Sequence, residues 1–193
     1  MQKKPHRVPC AFVSSPLVSF IAPTFLVLFL CCTLIGCQLP TRNHLNTIRK
    51  GEYELVVERI IDGDTIIGSV KGRRYRLRLS LVDAPEHNQK YGKESTQALK
   101  RIIGSKVLLT VEGVDKYGRI LATAIDNRER NVAIELVRQG LAWCYPFTRV
   151  NSQYEKETCE STMKKAQKQR LGIWSTGSPT PPWRFRETLR AHK

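Results

Sequence analysis

No histidine or cysteine spacing in this chain reads as a zinc site. His6, His44, His87 and His192 are scattered and form no ligand cluster. There is no internal repeat, which excludes a solenoid or a propeller. Acids are scarce: 17 Asp and Glu stand against 32 Lys and Arg, a formal charge of +15. So one-sided an excess on a small domain exceeds what solubility needs and favours polyanions, either nucleic acid or anionic lipid. Charge is also missing altogether from Val8 to Pro40.

That uncharged stretch sets the first 36 residues apart. Lys3, Lys4 and Arg7 form a positive lead, and the mostly apolar run Leu17–Ile35 follows. The run is long for a cleaved signal and about long enough to span a bilayer. It ends in Leu34-Ile35-Gly36-Cys37, which resembles the lipobox of bacterial lipoproteins. On that reading residues 1–36 are removed and acyl chains on Cys37 hold the protein at a membrane. The alternative is an uncleaved signal-anchor helix. Either way the folded part is expected outside the cytoplasm, in the cell envelope. Removing residues 1–36 takes away three bases and no acid, which brings the charge from +15 to +12.

The cysteines divide in the same way. Cys10, Cys31 and Cys32 belong to the export segment, and Cys37 is the candidate lipid site. Cys144 and Cys159 remain. Outside the cytoplasm they either close a short loop as a disulfide or stay as two buried thiols.

The chain of 193 residues fits one domain plus appendages. Residues 37–51 read as lipid anchor and tether, 52–175 as the domain, and 176–193 as a basic, Pro-rich tail. Strands are expected over Tyr53–Ile61, Thr65–Val70, Arg73–Val82, Lys106–Val111 and Arg119–Ile125. In the third, Tyr75, Leu77, Leu79 and Leu81 share one face, and Arg76, Arg78 and Ser80 the other. Helices are expected over Lys93–Ile103, over Val132–Gln139 behind an Asn131 cap, and from Ser152 to about Arg170. Ser152 and Glu155 have capping-box spacing for the last of these. Five short strands and three helices, the first lying between strands three and four, make an α+β, mainly β, chain. The pattern resembles an OB-fold, a five-stranded Greek-key barrel.

Three segments carry chemistry: Asp62-Gly63-Asp64-Thr65, Asp83-Ala84-Pro85-Glu86 and Asp115-Lys116-Tyr117-Gly118-Arg119. Asp64 and Asp83 are plausible oxygen ligands for a hard divalent ion acting as Lewis acid. Pro85 biases the chain toward an extended path, so Glu86 can approach the same site and handle water. Arg78 and Arg119 offer planar forks that match phosphate oxygens. Each fragment alone has a bland reading: a hairpin turn, a strand terminator, a solvated loop.

In this order the fragments are more specific. With Tyr91-Gly92-Lys93-Glu94, Leu136–Ala142 and Leu171-Gly172-Ile173-Trp174, they make Glu58–Ser175 resemble a staphylococcal-nuclease-like (thermonuclease) domain, here in an exported lipoprotein form. The resemblance implies a calcium-dependent endonuclease, a phosphodiester hydrolase acting on DNA and RNA, and a monomer. It implies Asp64, Asp83 and the Ala84 backbone carbonyl as Ca2+ ligands, and Glu86 as general base or water-orienting group. Arg78 and Arg119 follow as the phosphate-binding catalytic arginines. Ala84 stands where Thr is common, which matters little for a backbone ligand. Trp143 and Tyr145 do not align with the family's base-stacking tyrosines. They either stack on bases or pack the barrel against the third helix, and Tyr117 is similarly open. The rival from another class is a non-catalytic OB module that binds nucleic acid, and such a module has no use for Glu86.

Overall fold

The computed structural model describes residues 48–148, 150 and 152–191. The export segment and Cys37 lie outside the described residues. Among the described residues seven strands are present: β1 Gly51–Ile60, β2 Thr65–Val70, β3 Arg73–Leu79, β4 Val82–Asp83, β5 Lys106–Val114, β6 Ile120–Ile125 and β7 Trp143–Cys144. The helices are α1 Gly92–Ile103, α2 Val132–Arg138, α3 Gln153–Lys168 and α4 Pro182–Ala191, with a 3-10 turn at Gly172–Thr176.

Five strands close a barrel in the order β1-β2-β3-β6-β5, with β5 returning to β1. All neighbours are antiparallel except β3 and β6. This is the OB-type mixed barrel expected. Its interior is apolar: Leu55, Ile66, Leu77, Leu79, Leu109 and Ile120 are essentially inaccessible. Alternation along β3 puts Leu77 and Leu79 into that core and turns Arg78 to the other face.

The strand expected over Arg73–Val82 is broken. β3 ends at Leu79 because its parallel partner β6 matches it only over Leu77–Leu79. The chain then leaves the barrel, and Val82 and Asp83 pair with Cys144 and Trp143 of β7. Tyr145 N–H donates to Leu81 O at 2.9 Å, and Thr148 Oγ1 to Ser80 O at 2.7 Å. The β7 segment is thus a clamp on the turn that carries Asp83. It is itself tied to α3, because Cys144 and Cys159 are joined as a disulfide with Cα atoms 5.9 Å apart.

α1 buries the stripe Ala98, Leu99, Ile102 and Ile103, as its period implies. Asn131 caps α2, accepting from Ala133 N–H at 3.0 Å and Ile134 N–H at 3.3 Å. At α3 the expected capping box is only half made. Ser152 Oγ accepts from Glu155 N–H at 3.2 Å, but Glu155 Oε1 accepts from Asn131 Nδ2 at 3.2 Å. A tertiary partner on α2 has replaced the local one. The larger departure is α4. Residues read only as a Pro-rich tail form a helix, opened by Pro182 at its first position where the missing N–H costs nothing.

Candidate active site

The cleft lies beside the β3–β4 turn and encloses about 760 Å³. Asp64, Arg78, Asp83, Ala84, Glu86 and Arg119 all line it. Sequence segments 62–65, 78–86 and 115–119 therefore do meet, because β2, β3 and β6 are adjacent and the hairpin between β5 and β6 overhangs the same face.

Asp64 closes the turn between β1 and β2. Its N–H donates to Asp62 Oδ1 at 3.1 Å, and its carbonyl accepts from Leu79 N–H at 2.9 Å. Gly63 allows this turn to press inward, since a Cβ there would stand 2.6 Å from the Ala84 Cβ and 2.7 Å from the Ser95 Cβ. Asp64 Oδ2 accepts from Ala84 N–H at 3.1 Å, which links the two acidic turns directly. Both carboxylates are buried. Burial pushes the Asp83 carboxyl above its ordinary range; the Arg186 hydrogen bond opposes this and the Asp64 charge adds to it.

Arg78 stands between them. Its Nη2 lies 2.7 Å from Asp83 Oδ1 and 3.4 Å from Asp64 Oδ2, while Nη1 donates to Leu79 O at 2.9 Å and Val82 O at 3.0 Å. Burial works against this charge, yet Asp64 and Asp83 hold the guanidinium pKa above the ordinary arginine value. The Tyr145 ring lies 5.2 Å from Cζ, within cation–π range. In this arrangement Arg78 spends its terminal nitrogens on protein oxygens, so it gathers the carboxylates as much as it faces a substrate.

Arg119 differs. Among the described residues its hydrogen-bond and ion-pair partner is Asp115 on its own hairpin, with Nε 2.8 Å and Nη2 2.8 Å from Oδ2. Burial would raise the Asp115 carboxyl, but hydrogen bonds from the Arg119 and Tyr117 backbone and the Arg119 side chain bring it below its usual value. Tyr117, exposed, lies 5.7 Å beneath the Arg119 guanidinium.

Glu86 sits on the loop before α1. Its N–H donates to Gln89 Oε1 at 3.1 Å, and Gly92 packs on its carbonyl with no room for a side chain. The Glu86 carboxylate is about one-third exposed and meets Arg186 Nη1 at 2.5 Å. Arg186 comes from α4 and was not singled out by sequence reasoning, which took it as part of a basic tail. Its Nη2 also donates to Asp83 Oδ2 at 2.8 Å. A helix signal was present: Pro182 at a first position, with Arg184 and Glu187 three apart and bonded at 3.1 Å. Glu112, another cleft residue passed over, accepts from Thr123 Oγ1 at 3.1 Å.

The aromatic alternatives separate. Trp143 is buried and meets Trp174 edge-on at 5.5 Å, so it packs. Tyr145 is half-buried and lines the cleft, as do the exposed Tyr117 and Phe147.

Among the described residues no group of three or more His, Cys, Asp or Glu forms a ready metal cage. A hard cation that keeps several waters needs less. Asp64 and Asp83 supply two anionic oxygen donors, and both already converge on one cationic nitrogen, Arg78 Nη2. The donor set fits such an ion.

The profile of the family described as "Staphylococcal nuclease homologue" matches residues 76–176. An "Uncharacterized endonuclease" from Escherichia coli is 37% identical over 132 residues, covering 67% of this chain and 82% of that protein. "Micrococcal nuclease" from Shigella flexneri is 34% identical over 148 residues, covering 69% of this chain and 80% of that one. An "Uncharacterized endonuclease" from Haemophilus influenzae is 33% identical over 138 residues, covering 69% and 74%. The matched profile and these relatives agree, and the chain belongs to the staphylococcal nuclease homologue family.

Proposed function

We propose that this nuclease is a calcium-dependent endonuclease that hydrolyses phosphodiester bonds of DNA and RNA outside the cytoplasm. The observation that carries the reading is the convergence of Asp64, Asp83, Glu86, Arg78 and Arg119 on one cleft. A binding module would use the basic surface but not a partly exposed carboxylate beside two buried ones.

Asp64, Asp83 and the Ala84 carbonyl are the groups that would hold the ion. When bound, it supplies Lewis-acid stabilisation of phosphate charge. Glu86, on a loop fixed by Gln89 and Gly92, orients water and takes its proton. Arg119, at the cleft wall, donates to phosphate oxygens as negative charge builds on them. Arg78 holds the carboxylates together and adds its fixed positive charge to the cleft that receives the phosphate. Tyr117 and Tyr145 offer faces for bases.

The location is supported by the uncharged run Val8–Pro40, by Leu34–Cys37 and by the Cys144–Cys159 disulfide, which suits an oxidising compartment. We infer a lipid anchor at Cys37 in the cell envelope, with the domain acting as a monomer. Cys37→Ala is expected to abolish lipid labelling; attachment that persists through an uncleaved segment would favour the signal-anchor alternative.

The deciding experiment incubates the protein with plasmid and with RNA, in calcium and in a chelator. Cutting of both only with calcium is expected. Calcium-independent cutting, or binding without cutting, would sink the mechanism.

A further inference from the structure

Arg186 lies beyond the residues 76–176 that match the family profile. Its guanidinium nonetheless reaches the site's carboxylates. Nη2 is 2.8 Å from Asp83 Oδ2, Nη1 is 3.3 Å from Asp83 Oδ1, and Nη1 is 2.5 Å from Glu86 Oε1. Arg78 takes Asp83 Oδ1 from the other side at 2.7 Å. Both oxygens of the proposed cation ligand, and one of the water-handling carboxylate, are therefore engaged by guanidinium nitrogens.

Resting on the calcium-site reading above, we propose that α4 is a built-in plug: Arg186 occupies the carboxylates in the cation-free protein and is expelled when a divalent cation binds. Arg78 supplies one positive charge beside the three acids, and the plug adds a second where the ion's charge would otherwise stand. It also ties up the carboxylate that must be free to handle water. Arg186 rather than Arg78 is the group that yields. The Arg186 side chain is 32% exposed and that of Glu86 34%, at the rim of the cleft, whereas Arg78 is 9% exposed and locked by two carbonyls.

The helix is attached lightly enough to leave. Arg184, Glu187, Thr188, Leu189, Arg190 and Ala191 are exposed. Among the described residues its other fastenings are buried Pro182, half-buried Phe185, the Trp183 ring against Tyr145 at 6.0 Å, and Gln89 Nε2 donating to Thr180 O at 2.6 Å. The connection before it has one glycine, Gly177, at a positive φ, and then Pro179 and Pro181, so α4 would move as a stiff arm pivoting at Gly177. Binding of cation and docking of α4 are then reciprocally coupled: each weakens the other by the same factor.

The test uses the full chain, with terbium and calcium as cation probes. Arg186→Ala is expected to tighten the apparent dissociation constant by about tenfold. Arg184→Ala, which removes the same charge from an exposed position on the same helix, should leave it unchanged. In the unsubstituted protein, calcium without substrate should raise amide hydrogen exchange across residues 182–191. Calcium that binds but leaves both α4 exchange and the Arg186→Ala affinity unaltered would overturn the plug while the nuclease reading stands. No cation binding by either protein would overturn the calcium site itself, and the plug with it.

Discussion

Reducing the Cys144–Cys159 bond is expected to destabilise the domain and to loosen the turn that holds Asp83. The bond closes a loop of 15 residues. Releasing that constraint restores about 10 cal/mol/K of chain entropy to the unfolded state, or about 3 kcal/mol at room temperature. For a domain of this size that corresponds to a melting point lower by about 6–12 °C. The local effect follows from β7. Cys144 pairs with Val82 and Trp143 with Asp83, and Tyr145 and Thr148 bond Leu81 and Ser80, so the segment that clamps the acidic turn loses its covalent tie to α3. Calorimetry with and without a phosphine reductant, with thiol titration to confirm two free cysteines, measures the global part. Amide exchange at Ser80–Asp83 measures the local part and should rise more than that of β2. An unchanged melting point in a protein shown to be reduced would refute the loop argument. Equal exchange increases at β2 and at the turn would refute the clamp.

Glu86→Gln should lower kcat by about 10²–10⁴ while circular dichroism and melting point stay near those of the parent; full activity would remove Glu86 from the chemistry. Arg119→Ala should lower kcat by about 10²–10³ and change stability little, since its partner is the local Asp115. Arg78→Ala should instead cost about 3–5 kcal/mol of stability in denaturant titration, because it strands Asp64 and Asp83 in the interior. Burial would raise Asp126, but hydrogen bonds from Arg130 and Arg128 hold its carboxyl below the ordinary value of 3.8. Its stabilisation is thus present above that value and lost as pH falls through the lower, folded value. Asp126→Asn should cost about 1–3 kcal/mol at pH 7 and flatten the acid limb of the stability curve below pH 4.

Barrel and carboxylate turns were legible because their determinants are local. Alternation in Arg73–Leu79 sets which face Arg78 takes, and Asp62-Gly63-Asp64 is a turn signal in its own residues. What escaped is what depends on partners far along the chain. The end of β3 at Leu79 is decided by where β6 stops matching it, and Glu155 abandons its capping role for Asn131 on another helix. Arg186 is the extreme case. It contacts Asp83 from 103 residues away. In sequence it is one more base among many in a stretch whose prolines read as loop.

The two arginines that sequence pattern assigned to one job therefore divide it. Arg119 keeps its fork at the cleft wall with a single local carboxylate, the geometry of a group waiting for an anion. Arg78 has four oxygen neighbours of its own and a ring against its face, the geometry of a group that makes a pair of buried acids tolerable. Without it, Asp64 and Asp83 would be too costly to keep side by side; with it alone, Asp83 still keeps one oxygen for another cation. Arg186 occupies that oxygen in the structure described, and a divalent ion competing for it must displace a partly solvated guanidinium rather than a buried one. The difference in burial between the two arginines, more than the difference in their positions along the chain, decides which of them is structural and which is exchangeable.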